Sequence, residues 1–159
     1  WYTSVPAPED MMKEIQLRLD LQSIGTMIPF SVIEQSSGRV VGMTTYMNID
    51  SANQRLEIGS TWYSGRIQRT PLNTEAKYLL LAHAFETLEC IAVEFRTHFL
   101  NRQSRRAIER LGARLDGILR SHSLAVNGTI RDTCVYSIIS LEWPAVKTHL
   151  DWHLNGSHE

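Results

Sequence analysis

The sequence predicts an α+β fold with a mixed, mostly antiparallel sheet, and three observations carry that expectation. Apolar and polar residues alternate through 28–32, 40–47 and 55–63, with short turns between them, as an antiparallel meander requires. A broad apolar helical face over 74–88 then leads into an alternating strand over 91–99. Together with the strand before them they form one β-α-β crossover, whose two strands run parallel. A last pair of alternating stretches, 115–122 and 133–141, joins through Asn127-Gly128.

Taken in order, Pro8-Glu9-Asp10 suits a helix entry with acids in its first turn, and Met11, Ile15, Leu19 and Leu21 give an approximately helical apolar stripe. Ile28, Phe30 and Val32 alternate, Ser36-Ser37-Gly38 turns the chain, and 40–47 forms the partner strand. Asp50-Ser51-Ala52-Asn53 turns it again into 55–63. After a polar loop, 64–73, Ala76, Leu79, Leu80, Ala84, Phe85 and Leu88 line the long helix, as packing on a sheet demands. A short helix from Asn101 or Arg102 to Leu111 stops at Gly112. Trp143-Pro144 opens a C-terminal helix, with Pro at its first turn.

With 159 residues, 43% hydrophobic and 21% charged, the chain is sized for one domain over 1–159 with a core of its own. A formal net charge of −1 gives no general pull toward nucleic acid or an anionic membrane. No apolar run is long enough to span a bilayer and there is no secretory pattern, so a cytoplasmic protein is expected. Cys90 and Cys134 sit in apolar segments without metal-ligand spacing and read as buried free thiols. The chain opens on Trp1 rather than Met, in a stretch that reads as the middle of something longer.

Four places could hold chemistry. Gln68-Arg69-Thr70-Pro71-Leu72-Asn73-Thr74-Glu75 joins a strand to the long helix, whose free amides could seat a phosphate. The plainer reading is helix capping by Asn73 or Thr74. Asn101, with Ser104 one turn on, reads equally as an N-cap. Arg102, Arg105, Arg106 and Arg110 crowd that short helix. A solvated face accounts for them, attraction of a phosphorylated cofactor is the second reading, and nucleic acid is disfavoured for want of interleaved aromatics. Glu57 could accept a proton from an amine if it sat in a cleft, or simply face solvent. The histidines form no metal constellation; His149 and His153 share a helix face without a third ligand.

Element order and residues together resemble the GCN5-related N-acetyltransferases (the GNAT superfamily), most closely the branch of ribosomal-protein N-terminal acetyltransferases. Glu57-Ile58-Gly59-Ser60-Thr61-Trp62-Tyr63 is similar to that branch's fourth strand, and Val93-Glu94-Phe95-Arg96-Thr97 to its fifth. Thr74-Glu75-Ala76 with Leu79-Leu80 and Ala84-Phe85-Glu86 resembles its main helix. Asn101, Ser104, Ala107-Ile108 and Leu111-Gly112-Ala113 resemble its Asn-x-x-Ser…Leu-Gly-Phe pattern, with Ala113 in place of the aromatic. Gly117-Ile118-Leu119-Arg120, Gly128 and Arg131-Asp132 resemble the sixth strand and the turn into the seventh.

The resemblance implies a sheet splayed between the fourth and fifth strands, with helices flanking it. It implies acetyl-CoA as co-substrate, no metal, and a primary amine as acceptor, either a protein N-terminus or a small molecule. The pantetheine arm would lie along Ile58, Gly59, Ser60, Thr61 and Trp62, where a strand amide polarises the thioester carbonyl. Gln68, Arg69, Thr70, Leu72, Asn73 and Thr74 would cradle the pyrophosphate, and Asn101 with Ser104 would meet the arm. Glu57 is the candidate general base. Pro71 stands where the family has glycine and offers no N–H. Ile108 stands where many members carry a tyrosine that protonates the leaving thiolate. These two departures keep a weak or inactive acyl-CoA-binding regulatory domain as the alternative. The resemblance further implies that the family's first strand and first helix are missing from this chain, which would leave the strand at 28–32 as an edge open to a homodimer partner.

Overall fold

In the computed structural model of the protein, residues 5–67 and 70–156 are described. A single 3-10 turn, Pro8–Asp10, leads into α1 (Met11–Ser23), and β1 (Met27–Glu34) follows. These elements correct one expectation: a first strand and an N-terminal helix are present, not missing. The apolar stripe expected of α1 is only half used. Met11, Ile15 and Leu21 are half-buried and Leu19 is exposed, while the one buried residue of the helix is Arg18. A cation at that place finds acceptors on the sheet, which a leucine would not.

β2 (Arg39–Asp50) and β3 (Arg55–Tyr63) complete the antiparallel meander. α2 (Leu72–Ala82) runs on through one π turn, His83–Thr87, before β4 (Ala92–His98) returns parallel to β3. α3 (Arg102–Arg110), β5 (Arg114–Leu124), β6 (Ile130–Ile139) and α4 (Trp143–Asn155) close the order. The six strands lie as β1-β2-β3-β4-β6-β5, and β3–β4 is the one parallel pair among them. The mixed, mostly antiparallel sheet is therefore as expected, and β1 is an edge strand of it.

One face of the sheet carries the core. Tyr46, Leu56, Ile58, Val93, Phe95, Tyr136 and Ile138 pack there against Leu80, Leu81, Ala84 and Phe85 of the crossover helix, and against Ile108, Val146 and Leu150. Strand periodicity of two turns the intervening residues, among them Glu57, to the opposite face. The Trp143 ring stacks on Phe85 at 5.2 Å, and its Nε1 donates to Glu86 Oε1 at 2.8 Å, which ties α4 to the end of the crossover. Gly112 ends α3 at φ +94°, where a Cβ would stand 3.0 Å from Val146 Cγ2, so both backbone and packing demand glycine. Cys90 and Cys134 are buried free thiols. Among the described residues no helix is long and apolar enough to cross a membrane.

Candidate functional site

The parallel ladder between β3 and β4 is short. It pairs Arg55, Leu56 and Glu57 with Ala92, Val93 and Glu94 and then stops, although β3 continues to Tyr63 and β4 to His98. β4 stays paired to β6 along its whole length, so it is β3 that diverges. Backbone groups of β3 beyond Glu57 on that side face a gap, and unpaired backbone donors seek a partner.

Glu57 stands at the fork, 5% exposed. Asn48 Nδ2 donates to its Oε2 at 2.7 Å, and Arg96 Nε lies 3.5 Å from the same oxygen. Burial pushes its carboxyl above the usual range, while Asn48 and Arg96 pull the other way. Arg96 also reaches Glu94 Oε2 at 3.1 Å, and Arg55 holds Glu94 Oε1 at 2.5 Å. These side chains, with Asp50, line a cavity of about 170 Å³. A buried carboxylate beside a small polar cavity is equipped to take a proton from an amine.

Beyond the fork β3 bulges. Met43 pairs with Trp62 and Thr45 with Gly59, so Thr44 of β2 opposes both Ser60 and Thr61. Ser60 takes φ +46°, a left-handed conformation rare for any residue with a Cβ. Gly59 is pressed close as well: a Cβ there would fall 2.7 Å from Met47 Sδ and 3.1 Å from Glu57 Oε1. Ile58 belongs to the core cluster, and the Thr61 hydroxyl is shared with Thr44 at 2.8 Å.

Three consecutive residues then carry buried polar atoms without a hydrogen-bond partner among the described residues: Trp62 Nε1, Tyr63 Oη and Ser64 Oγ. Burial raises the Tyr63 phenol to about 12. Trp62 and Tyr63 follow each other on β3 and so point to opposite faces of the sheet, which leaves the two orphaned groups in separate surroundings.

Gln68 and Arg69 lie outside the described residues. Thr70 is exposed and folds back on the loop: its N–H and its hydroxyl both donate to Ile67 O, at 3.3 and 2.7 Å. The helix begins earlier than the sequence indicates. Pro71 is its N-cap, with no side-chain cap bond, and Leu72, Asn73 and Thr74 form the first turn. Neither Asn73 nor Thr74 caps the helix, so the amides of that turn are left for other acceptors.

Asn101 is the N-cap of α3, its Oδ1 accepting from Ser104 N at 3.0 Å. The cap reading is therefore realised, and Asn101 Nδ2 remains the group that can donate to a ligand. Replacing it by alanine should cost about 1 kcal/mol of stability, read as a fall in unfolding midpoint. Of the arginines on α3, Arg105 points inward: its Nε donates to Tyr136 Oη at 2.9 Å, and Tyr136 donates to Glu109 Oε1 at 2.7 Å. Ile108 faces the core.

Several partners at the site were not singled out from sequence. Asn48, Arg55, Glu94 and Arg96 surround Glu57; Arg96 could have been found, since it follows Glu94 by two on an alternating strand. Tyr63 and Ser64 extend the row begun by Trp62. Lys77 and Arg18 bind the bulge from opposite faces (below). Among the described residues no cluster of His, Cys, Asp or Glu could hold a metal ion.

Comparison with known proteins bears on this geometry. A family model described as Acetyltransferase (GNAT) domain matches residues 1–114. Among named relatives, the "Putative ribosomal N-acetyltransferase YdaF" of Bacillus subtilis is 34% identical over 110 residues, 69% of this chain. That match spans 59% of the relative's own length. The "Uncharacterized N-acetyltransferase p20" of Bacillus licheniformis is 27% identical over 147 residues, covering 89% of this chain and 77% of that protein. Among solved structures, a GCN5-related N-acetyltransferase from Brucella melitensis superposes with a TM-score of 0.81 at 38% identity, over 92% of this chain and 67% of that one.

Proposed function

Because the chain belongs to the acetyltransferase (GNAT) domain family, we propose that it moves an acetyl group from acetyl-CoA to a primary amine, by direct attack within a ternary complex. The observation that carries this reading is the fork at Glu57 and Glu94, where β3 leaves β4 beside a buried carboxylate and a polar cavity. Acetyl-CoA supplies the activated thioester. The divergent stretch Ile58–Trp62 receives its arm in place of a neighbouring strand and aims a backbone amide at the carbonyl oxygen. Leu72, Asn73 and Thr74 offer the amides of the first turn of α2 to the pyrophosphate, with Gln68, Arg69 and Thr70 leading into it. Asn101 and Ser104 hold the arm from the start of α3. The whole of 1–159 acts as one acyltransferase domain in this proposal.

Glu57 takes the proton from the amine in the cavity. Glu57 is itself paired with Arg96, and Glu94 with Arg55 and Arg96, so the carboxylates at the fork are weak bases and the site suits an amine that sheds its proton readily. At neutral pH, freeing a lysine side chain costs about 4–5 kcal/mol and an α-amine about 1. The acceptor is accordingly a protein N-terminus or a small molecule with an amine of low basicity. Ile108 faces the core and offers no acid to the thiolate, which leaves by protonation from water.

Calorimetry with CoA, beside thiol release from acetyl-CoA with paired acceptors, tests the reading. Turnover with an α-amine at least tenfold above that with a matched lysine side chain is expected at pH 7. Tight CoA binding with no turnover on any amine would instead favour a regulatory acyl-CoA-binding domain, the reading that Pro71 and Ile108 recommend.

A further inference from the structure

The bulge in β3 is gripped from both faces of the sheet by a buried cation. From the α1 side, Arg18 Nη1 donates to Thr45 Oγ1 at 2.7 Å and to the carbonyl of Ser60 at 3.3 Å. Its Nε is held by Glu14 Oε1 at 2.7 Å, which fixes the guanidinium before it reaches the strand. From the α2 side, Lys77 Nζ donates to Thr44 Oγ1 at 2.8 Å and Thr61 Oγ1 at 2.7 Å. Thr44 is the residue of β2 that faces the bulge, and Thr61 lies within it. Both cations are buried, at 6% exposure each. Among the described residues Lys77 has no carboxylate hydrogen-bond partner; two hydroxyls at the bulge are what it holds.

We propose that Lys77 and Arg18 form a two-sided clamp that fixes the β3 bulge at Ser60-Thr61 and so aims the backbone of the divergent strand into the gap, with Lys77 as a positioning residue for acyl transfer. The catalytic part of this rests on the function proposed above; the clamp itself does not. The geometry explains why Ser60 persists at φ +46° without being glycine. Its carbonyl is held on one side and the hydroxyl of the next residue on the other, so the strained turn is over-determined by its neighbours. It also explains the choice of residue. A lysine buried on the packed face of α2 has to reach two hydroxyls on two strands, and a flexible stem with three donors does so. Lys77 does not line the cavity at Glu57 and hydrogen-bonds none of the orphaned atoms of 62–64, so its effect passes through the strand.

Lys77→Met keeps a flexible, unbranched side chain, one atom shorter, and removes the donors. Thr61→Val keeps the shape and removes the hydroxyl, while Thr61→Ser retains it. In Lys77→Met and Thr61→Val, hydrogen exchange across Gly59–Trp62 should quicken at least tenfold in the protein without cofactor, with exchange at Leu56 and Val93 unchanged. In steady-state assays the same variants should lose at least tenfold in kcat while KM for acetyl-CoA stays within threefold, and Thr61→Ser should recover most of the rate. Exchange within twofold of the parent in both variants overturns the clamp. Faster exchange with undiminished kcat overturns the positioning role, as does a loss of kcat that Thr61→Ser fails to restore. Exchange needs neither cofactor nor acceptor, so a parent protein that acetylates no amine would sink the proposed function while leaving the clamp to be judged by its own measurement.

Discussion

Glu57→Gln should lower kcat by about 10²–10⁴-fold at neutral pH, the range that a positioned general base contributes. The substitution is gentle on the fold. Asn48 Nδ2 can donate to the new amide oxygen as it does to Oε2, and Arg96 keeps its second partner, Glu94 Oε2, at 3.1 Å. CoA affinity, measured by calorimetry, should stay within twofold, since Glu57 faces the cavity and not the loop before α2.

The pH profile separates base from bystander. Burial raises the carboxyl of Glu57, so its deprotonated, working form appears at a pH above the ordinary carboxylate range. The acidic limb of kcat/KM should then hold two components. One belongs to Glu57 and stays put when the acceptor is changed; the other belongs to the acceptor amine and moves with it. Glu57→Gln should abolish the fixed component alone. A variant that keeps kcat within threefold, or retains both components, would remove Glu57 from the mechanism. The same raised pKa has a consequence for stability. A carboxyl whose folded pKa lies above its unfolded value favours the fold below the unfolded pKa, and that contribution fades as pH rises through the folded one.

How much of this was legible depends on whether one residue's pattern sufficed. The parallel pairing of β3 with β4 was readable because alternation through Arg55–Tyr63 and Ala92–His98, with one helix between, favours a parallel crossover, whereas the fork beyond that pairing followed only from the family resemblance. The cap at Asn101 was readable because a cap is local. The start of α2 was not: Asn73 and Thr74 look like caps in any window, yet Pro71, with its fixed φ and no N–H to lose, lets the helix begin two residues earlier. The expectation of missing N-terminal elements arose from aligning this chain with a family pattern, whereas its own residues already marked a helix at Met11 and a strand at Ile28. Arg18 and Lys77 were missed for a shared reason. Each stands on a helical face otherwise read as apolar, and Lys77 falls in step with Leu80, Leu81 and Ala84. A charge on such a face is a signal, but its partners come from strands far away in sequence, and only the folded sheet brings them together.

Lys77→Met should also make the protein more stable near neutral pH, even as it slows the reaction. Burial alone, with no neighbouring charge contributing, drives the lysine from its ordinary 10.5 down to about 7, and the groups it meets are the hydroxyls of Thr44 and Thr61. The unfolded chain therefore binds more protons than the folded one between pH 7 and 10.5, and stability due to this group rises across that window. Below pH 7 the charged lysine is buried and the cost is fully present; above 10.5 it has vanished. At about 1.4 kcal/mol for each pH unit separating the two states, the cost at pH 6 is on the order of 4–5 kcal/mol. Methionine removes the charge but also leaves two hydroxyls to bond each other, as they already do at 2.8 Å. A net gain on the order of 2–4 kcal/mol at pH 6, shrinking to nothing by pH 10, is the outcome expected from denaturant unfolding across the pH range. A variant less stable than the parent at pH 6 would mean that the ammonium holds the fold together. In that case the slower turnover of Lys77→Met could be put down to damage. A variant more stable yet slower leaves only the aim of the strand to explain the loss, because a group that costs the fold several kcal/mol and still governs the rate acts through geometry and not through stability.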